Sequence, residues 1–114
     1  MIAVIFEVFP AEGQKDAYLA LAAEMRPLVE QIDGFISVER FESLTTPGKL
    51  LSISFYRDEE ALNEWRRVTQ HRKAQAAGRK KMFTDYRIRV LSVIRDYGMN
   101  ERTEVPEDSL ELHG

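Results

Sequence analysis

The sequence contains no cysteine in its 114 residues. That excludes disulfides, a thiolate nucleophile, and cysteine-held zinc or iron–sulfur centres. Histidine is scarce too. Only His71 and His113 occur, too far apart to suggest a metal pair, and no metal site is expected. No apolar run approaches the ~18 residues of a membrane span. A strand-like segment begins right after Met1 with no basic stretch before it, so the expected compartment is the cytoplasm and no membrane partner is expected. The glycines are scattered and build neither a phosphate loop nor a nucleophile elbow. A net charge of −3 gives no global pull toward nucleic acid, and no nucleic-acid partner is expected.

What is present fits one small globular domain. Hydrophobic residues make up 44% and charged residues 31%, a balance unlike that of disordered chains. Residues 1–98 read as the folded unit and residues 99–114 as an acidic tail, with Glu101, Glu104, Glu107, Asp108 and Glu111 set against Arg102 alone. A chain this short has a modest core, so association would help it.

Along the chain, Met1 to Phe9 reads as a strand closed by Pro10. Ala11 to Ile32 reads as a helix, with Ala17, Leu21, Met25, Leu28 and Ile32 as its apolar stripe. Pro27 should kink it or begin a new turn, and Asp33-Gly34 should stop it. Phe35 to Ser43 and Lys49 to Tyr56 read as a hairpin around Thr45-Thr46-Pro47-Gly48. Asp58 suits an N-cap, followed by a short helix marked by Leu62, Trp65 and Val68 and a second helical piece from Gln70 to Met82. Phe83 to Tyr97 reads as an over-long last strand.

The order β-α-β-β-α-β predicts an α+β, ferredoxin-like domain with an antiparallel sheet. Helices would cover one sheet face only. Yet the first, third and fourth strands read as apolar on both parities. A second copy is the cheapest cover for the other face, at roughly 25 cal/mol per Å² of apolar surface removed from water. A homodimer is therefore expected, with the long last strand reaching across to the partner and Arg87, Arg89 and Arg95 available at the contact.

Ile32-Asp33-Gly34-Phe35, Ala61-Leu62-Asn63-Glu64-Trp65, Gln70-His71 and Phe83-Thr84-Asp85-Tyr86 together give a chain that resembles the antibiotic biosynthesis monooxygenase (ABM) domain, over about Ile2 to Gly98. The resemblance implies a dimeric α/β barrel, two copies pairing sheet to sheet. For function it implies a cofactor-independent monooxygenase acting on a small aromatic polyphenol or quinol, with no cofactor. Alternatives are a non-enzymatic protein binding a small aromatic or anionic ligand, and a haem-degrading oxygenase.

Several residues are candidates for the chemistry. By resemblance Trp65 borders the family pocket, as a core or wall residue or as a flat substrate contact; Phe6 on the first strand is a second contact. His71 reads either as a base for a phenolic proton or as a cap at the helix break. Tyr86 and Arg72 would complete a site that removes a proton and steadies the resulting anion for electron transfer to O₂. Glu7 stands alone among apolar neighbours. It reads either as a buried base with a raised pKa or, preferred here, as an outward acid paired with a strand arginine. Arg66, Arg67, Arg72, Lys73, Arg79, Lys80 and Lys81 form a run without an acid, read as a solvated face partly neutralised by the acidic tail, or as a lure for an anionic substrate or RNA, though no aromatics are interleaved and no nucleic-acid motif is present. Haem is disfavoured. The haem-degrading members carry a first-strand asparagine and a ligand histidine about ten residues past the tryptophan. Here that strand has no asparagine, Gln75 stands at ten, His71 stands at six, and the two are expected on different helix faces.

Overall fold

The computed structural model describes residues 1–75 and 82–108, and side chains for 1–69 and 82–108. Four strands and two helices follow in the order β1 (Ile2–Pro10), α1 (Lys15–Val29), β2 (Phe35–Glu42), β3 (Leu50–Tyr56), α2 (Glu59–Gln75) and β4 (Phe83–Ser92). The strands form one sheet in the order β2-β3-β1-β4, and each neighbouring pair is antiparallel. This is the expected ferredoxin-like α+β fold. Among the described residues no helix is long and apolar enough to cross a membrane.

The local signals explain most boundaries. Asp58 caps α2, its Oδ1 accepting the Ala61 backbone N–H at 2.9 Å. Glu59 and Glu60 fill the first turn, where carboxylates favour the helix dipole. Gly34 takes φ +93° and closes the turn after α1. Arg57 clasps that turn to the start of α2, pairing with Asp33 at 3.4 Å and Asp58 at 3.2 Å.

Four expectations need correction. The buried, sheet-facing line of α1 is Tyr18, Ala22 and Val29; of the expected stripe Leu21, Met25 and Leu28 flank that line half-buried, and Ala17 alone is exposed. The second helix is unbroken through Gln75, so His71 does not sit at a junction. His71 and Gln75 are four residues apart in it, and such positions share a face rather than lying on different ones. The last strand ends at Ser92, not Tyr97. Its ladder with β1 finishes at the Ile2–Ser92 pair, and one more bond runs from Val93 N–H to the Met1 carbonyl at 3.0 Å.

The two sheet faces differ. Toward the helices point Ile2, Val4, Phe6 and Val8 of β1, and Leu50, Ser52, Ser54 and Tyr56 of β3. Away from them point Ala3, Ile5, Glu7 and Phe9, with Leu51, Ile53 and Phe55 beside them. Phe41 and Leu91 extend this outer face and stay exposed. Double-sided apolarity holds for β1. It fails for β3, whose inner face carries two serines, and for β4, whose outer face carries Arg87 and Arg89.

The core is split between the ends of the inner face. Ile2, Val29, Tyr56, Ala61 and Leu62 form one cluster, joined by Trp65. Val8, Tyr18 and Leu50 form the other, joined by Phe6 and Phe83. Residues Val93 to Asp108 lie outside the sheet and are mostly exposed. They help give a radius of gyration of 16.9 Å and extents of 56 × 35 × 19 Å.

Candidate functional site

The gap between the two core clusters is a cavity of about 700 Å³. β3 explains why it stays open. Its inner face reads Leu50, Ser52, Ser54, Tyr56, with large residues at both ends and small ones in the middle. Two serines leave room where leucines would meet the helices. They are 7% and 8% exposed, so the cavity has a polar floor strip. The Tyr56 phenol stands on the same strand face as Ser54. Burial raises its pKa above the ordinary phenol value, against a smaller lowering effect of Ser54.

The walls are mainly aromatic and aliphatic. Tyr18, Leu21, Ala22, Met25 and Val29 come from α1, and Leu62, Trp65 and Thr69 from α2. Phe6 meets Phe83 and Tyr86 edge-on, each with centroids 5.9 Å apart, and Tyr18 meets Phe83 at 5.4 Å. The cavity opens along β4, where Tyr86, Ile88 and Val90 face inward yet remain 58%, 54% and 55% exposed. Three arginines reach it: Arg26, paired with Glu30 at 3.1 Å; Arg66; and Arg40.

Trp65, Phe6 and Tyr86 therefore meet in one cavity, as their candidacy requires. His71 and Arg72 belong to the α2 backbone, but their side chains lie outside the described residues, as does most of the basic run. Glu7 lies on the other face of the sheet. It pairs with Arg89 at 3.3 Å and Lys49 at 3.4 Å, the outward arrangement preferred from sequence. The raised pKa required of a base does not arise. Desolvation pushes the carboxyl up, but the hydrogen bonds and charges of Lys49 and Arg89 outweigh it and hold the group below 4.5. A depressed folded-state pKa adds stability above the ordinary carboxylate range, and that contribution is lost as pH falls through the folded value. Glu7→Gln is expected to flatten the acid side of the stability profile, read as urea midpoints between pH ~7 and ~3. An unchanged acid slope would remove Glu7 from that role.

Sequence reasoning missed Arg40, Ser52, Ser54 and Tyr18. A signal existed for the serines: Leu-x-Ser-x-Ser-x-Tyr alternates against Leu-x-Ile-x-Phe on β3. Among the described residues no group of three or more His, Asp or Glu side chains could hold a metal ion. The described lining has no histidine to bind haem iron, and His71, the remaining candidate ligand, has its side chain outside the described residues.

Residues 1–77 match the family model described as antibiotic biosynthesis monooxygenase. A protein from Pyricularia oryzae named jasmonate monooxygenase ABM is 46% identical over 101 residues, covering 89% of this chain and 47% of its own length. The chain thus spans about half of that relative. An uncharacterized Bacillus subtilis protein, YqjZ, is 31% identical over 101 residues, covering 89% of this chain and 86% of its own. Rv0793 from Mycobacterium tuberculosis has a similar structure, with a TM-score of 0.71 at 25% identity, over 85% of this chain and 98% of its own. Two more remote structures share the fold. SnoaB from Streptomyces nogalater, a cofactor-independent oxygenase, has a TM-score of 0.66 at 11% identity over 83% of this chain and 94% of its own. The haem-degrader MhuD from M. tuberculosis has a TM-score of 0.64 at 17% identity over 86% and 100%.

Proposed function

Because the chain belongs to the antibiotic biosynthesis monooxygenase family, we propose that it is a cofactor-independent monooxygenase of a small aromatic substrate of the quinol or polyphenol type, working as a homodimer. The observation that carries this is the cavity of about 700 Å³ walled by Trp65, Phe6, Phe83 and Tyr86. Its volume falls within the ~300–1,000 Å³ of sites for small organic molecules, and its flat walls suit fused rings.

The chemistry asks little of the protein. A phenol or quinol that loses its proton becomes electron-rich enough to reduce O₂ by one electron. Recombination of the two radicals gives a peroxide. When that peroxide loses water, the ring C–H carbon that took up the oxygen has become a carbonyl, the second oxygen atom leaves as water, and no external reductant is needed. The pocket must accept a proton, steady the anion and keep water away. Tyr86 at the mouth and His71 on α2 are the proposed proton acceptors or relays, Arg72 is the proposed cation, and Trp65 and Phe6 hold the rings.

Oxygen uptake without added cofactor, measured with an anthrone, a naphthoquinol and jasmonate, tests the reading. Jasmonate joins the set because the 46% identical relative bears its name. Trp65→Ala is expected to raise KM about tenfold or more, the worth of ~1.4 kcal/mol of lost ring contact. Unchanged turnover in both Trp65→Ala and His71→Ala would move the site elsewhere. Tight binding without oxygen uptake would favour a ligand-binding role, and a Soret shift on haem titration would favour a haem protein.

A further inference from the structure

We infer that Arg40, with Ser52 and Ser54, forms an anion subsite inside the cavity that receives a single carboxylate on an otherwise apolar ligand. The inference rests on the cavity being the ligand site and names the class of ligand it takes. β2 and β3 pair so that Arg40 lies beside Ser52, and Val38 beside Ser54. Ser52 in turn pairs with Phe6, and Ser54 with Val4. The inner sheet face therefore runs from a polar edge at β2 and β3 to an apolar one at β1 and β4.

Arg40 stands at that polar edge with its charge unmet. Its Nε is buried and has no hydrogen-bond partner among the described residues. Among the described residues no carboxylate pairs with it, whereas Lys15, Arg26, Lys49, Arg57, Arg67 and Arg89 each have one. Its guanidinium lies 6.0 Å from the centre of the Tyr18 ring, which holds the fork over the cavity wall. A buried donor without an acceptor is costly, and more so on a charged group. A ligand acceptor that arrives here removes that cost.

The chemistry of the strip selects the anion. The planar guanidinium fork matches a carboxylate, two N–H groups to two oxygens. The donors beside Arg40 on the strip, Ser52 and Ser54, are neutral hydroxyls, and Arg26 is already paired with Glu30, so the strip itself offers one fork, suited to one carboxylate. The apolar walls beyond it take a ring body. The carboxylate end would sit against β2 and the ring would extend toward Trp65 and the β4 mouth.

Calorimetric titration with naphthalene-1-acetate and its methyl ester separates the outcomes. Wild-type protein is expected to bind the acid at least about tenfold more tightly than the ester, the ordinary effect of hydrogen bonds to a charged group. Arg40→Gln is expected to erase that preference and leave ester affinity nearly unchanged. Arg40→Lys should keep part of it, as a point charge without the fork. Equal binding of acid and ester by wild type overturns the subsite, and this comparison needs no variant to fold. Retained acid preference in Arg40→Gln overturns it as well. If neither probe binds, the cavity reading beneath falls too; if the ester binds and the acid binds no better, only the subsite falls.

Discussion

Gly34→Val is expected to leave little folded protein at physiological temperature. Gly34 holds φ +93°, a conformation that costs a side chain roughly 1–2 kcal/mol. Space is missing as well. A Cβ there would stand 2.9 Å from the Ala61 Cβ and 3.2 Å from the Arg57 Cζ. Arg57 can swing away, but Ala61 is 3% exposed within the core cluster that also holds Leu62 and Tyr56. Overpacking of this kind costs about 1–3 kcal/mol more. The Gly34 carbonyl also accepts the Arg57 backbone N–H at 2.7 Å, so a shift of the turn loosens the start of α2. The sum is a large part of the ~5–15 kcal/mol that holds a domain together. Urea denaturation checks it: the midpoint should fall strongly for valine and less for alanine. A midpoint for Gly34→Ala equal to wild type would show that the turn relaxes freely.

Ile53→Arg is expected to convert a dimer into a monomer. Ile53 lies on the outer sheet face between Ile5 of β1 and Glu39 of β2. Around it spread Leu51, Phe55, Phe41 and Leu91, with no helix among the described residues to cover them. An apolar patch of that kind marks a contact surface. In a protomer the new guanidinium can meet Glu39, so the fold should survive. Across a two-fold contact, arginine would face a desolvated interface, at several kcal/mol per buried charge. Each ~1.4 kcal/mol weakens association tenfold, so a thousandfold loss is expected. Light scattering at micromolar concentration should give wild type about twice 13.2 kDa and the variant a value near 13.2 kDa. A wild-type mass of 13.2 kDa would remove the dimer.

The fold was legible because its punctuation is strong. Pro10, Asp33-Gly34, the Pro47-Gly48 turn and Asp58 each mark a boundary that the backbone respects within a few residues. The facing of α1 was less legible. Leu21, Met25 and Leu28 are as apolar as Tyr18, Ala22 and Val29, and only packing decides which residues take the centre of the inward face and which its half-buried flank. The last strand misled through composition. Val93 and Ile94 look like strand residues, but pairing, not propensity, decides where a ladder stops, and β1 begins at Ile2. The site was half legible. Trp65, Phe6 and Tyr86 could be gathered from family resemblance and strand parity. Arg40 could not, because a charged residue on an edge strand ordinarily signals solvent. Its meaning emerges only when Ser52 and Tyr18 are seen beside it.

A body 56 Å long and 19 Å thin drags more water than a sphere of equal mass. For comparison, a compact chain of ~100 residues has a radius of gyration near 13 Å, against 16.9 Å here. A lone protomer should therefore diffuse slowly and leave a sizing column early, as though heavier than it is. Where the outer faces join along the shortest dimension, that dimension thickens and the longest is barely extended. Pairing then doubles the mass while friction grows modestly, and the two species elute closer together than their masses suggest. Sedimentation velocity, which reports mass and friction together, parts them cleanly.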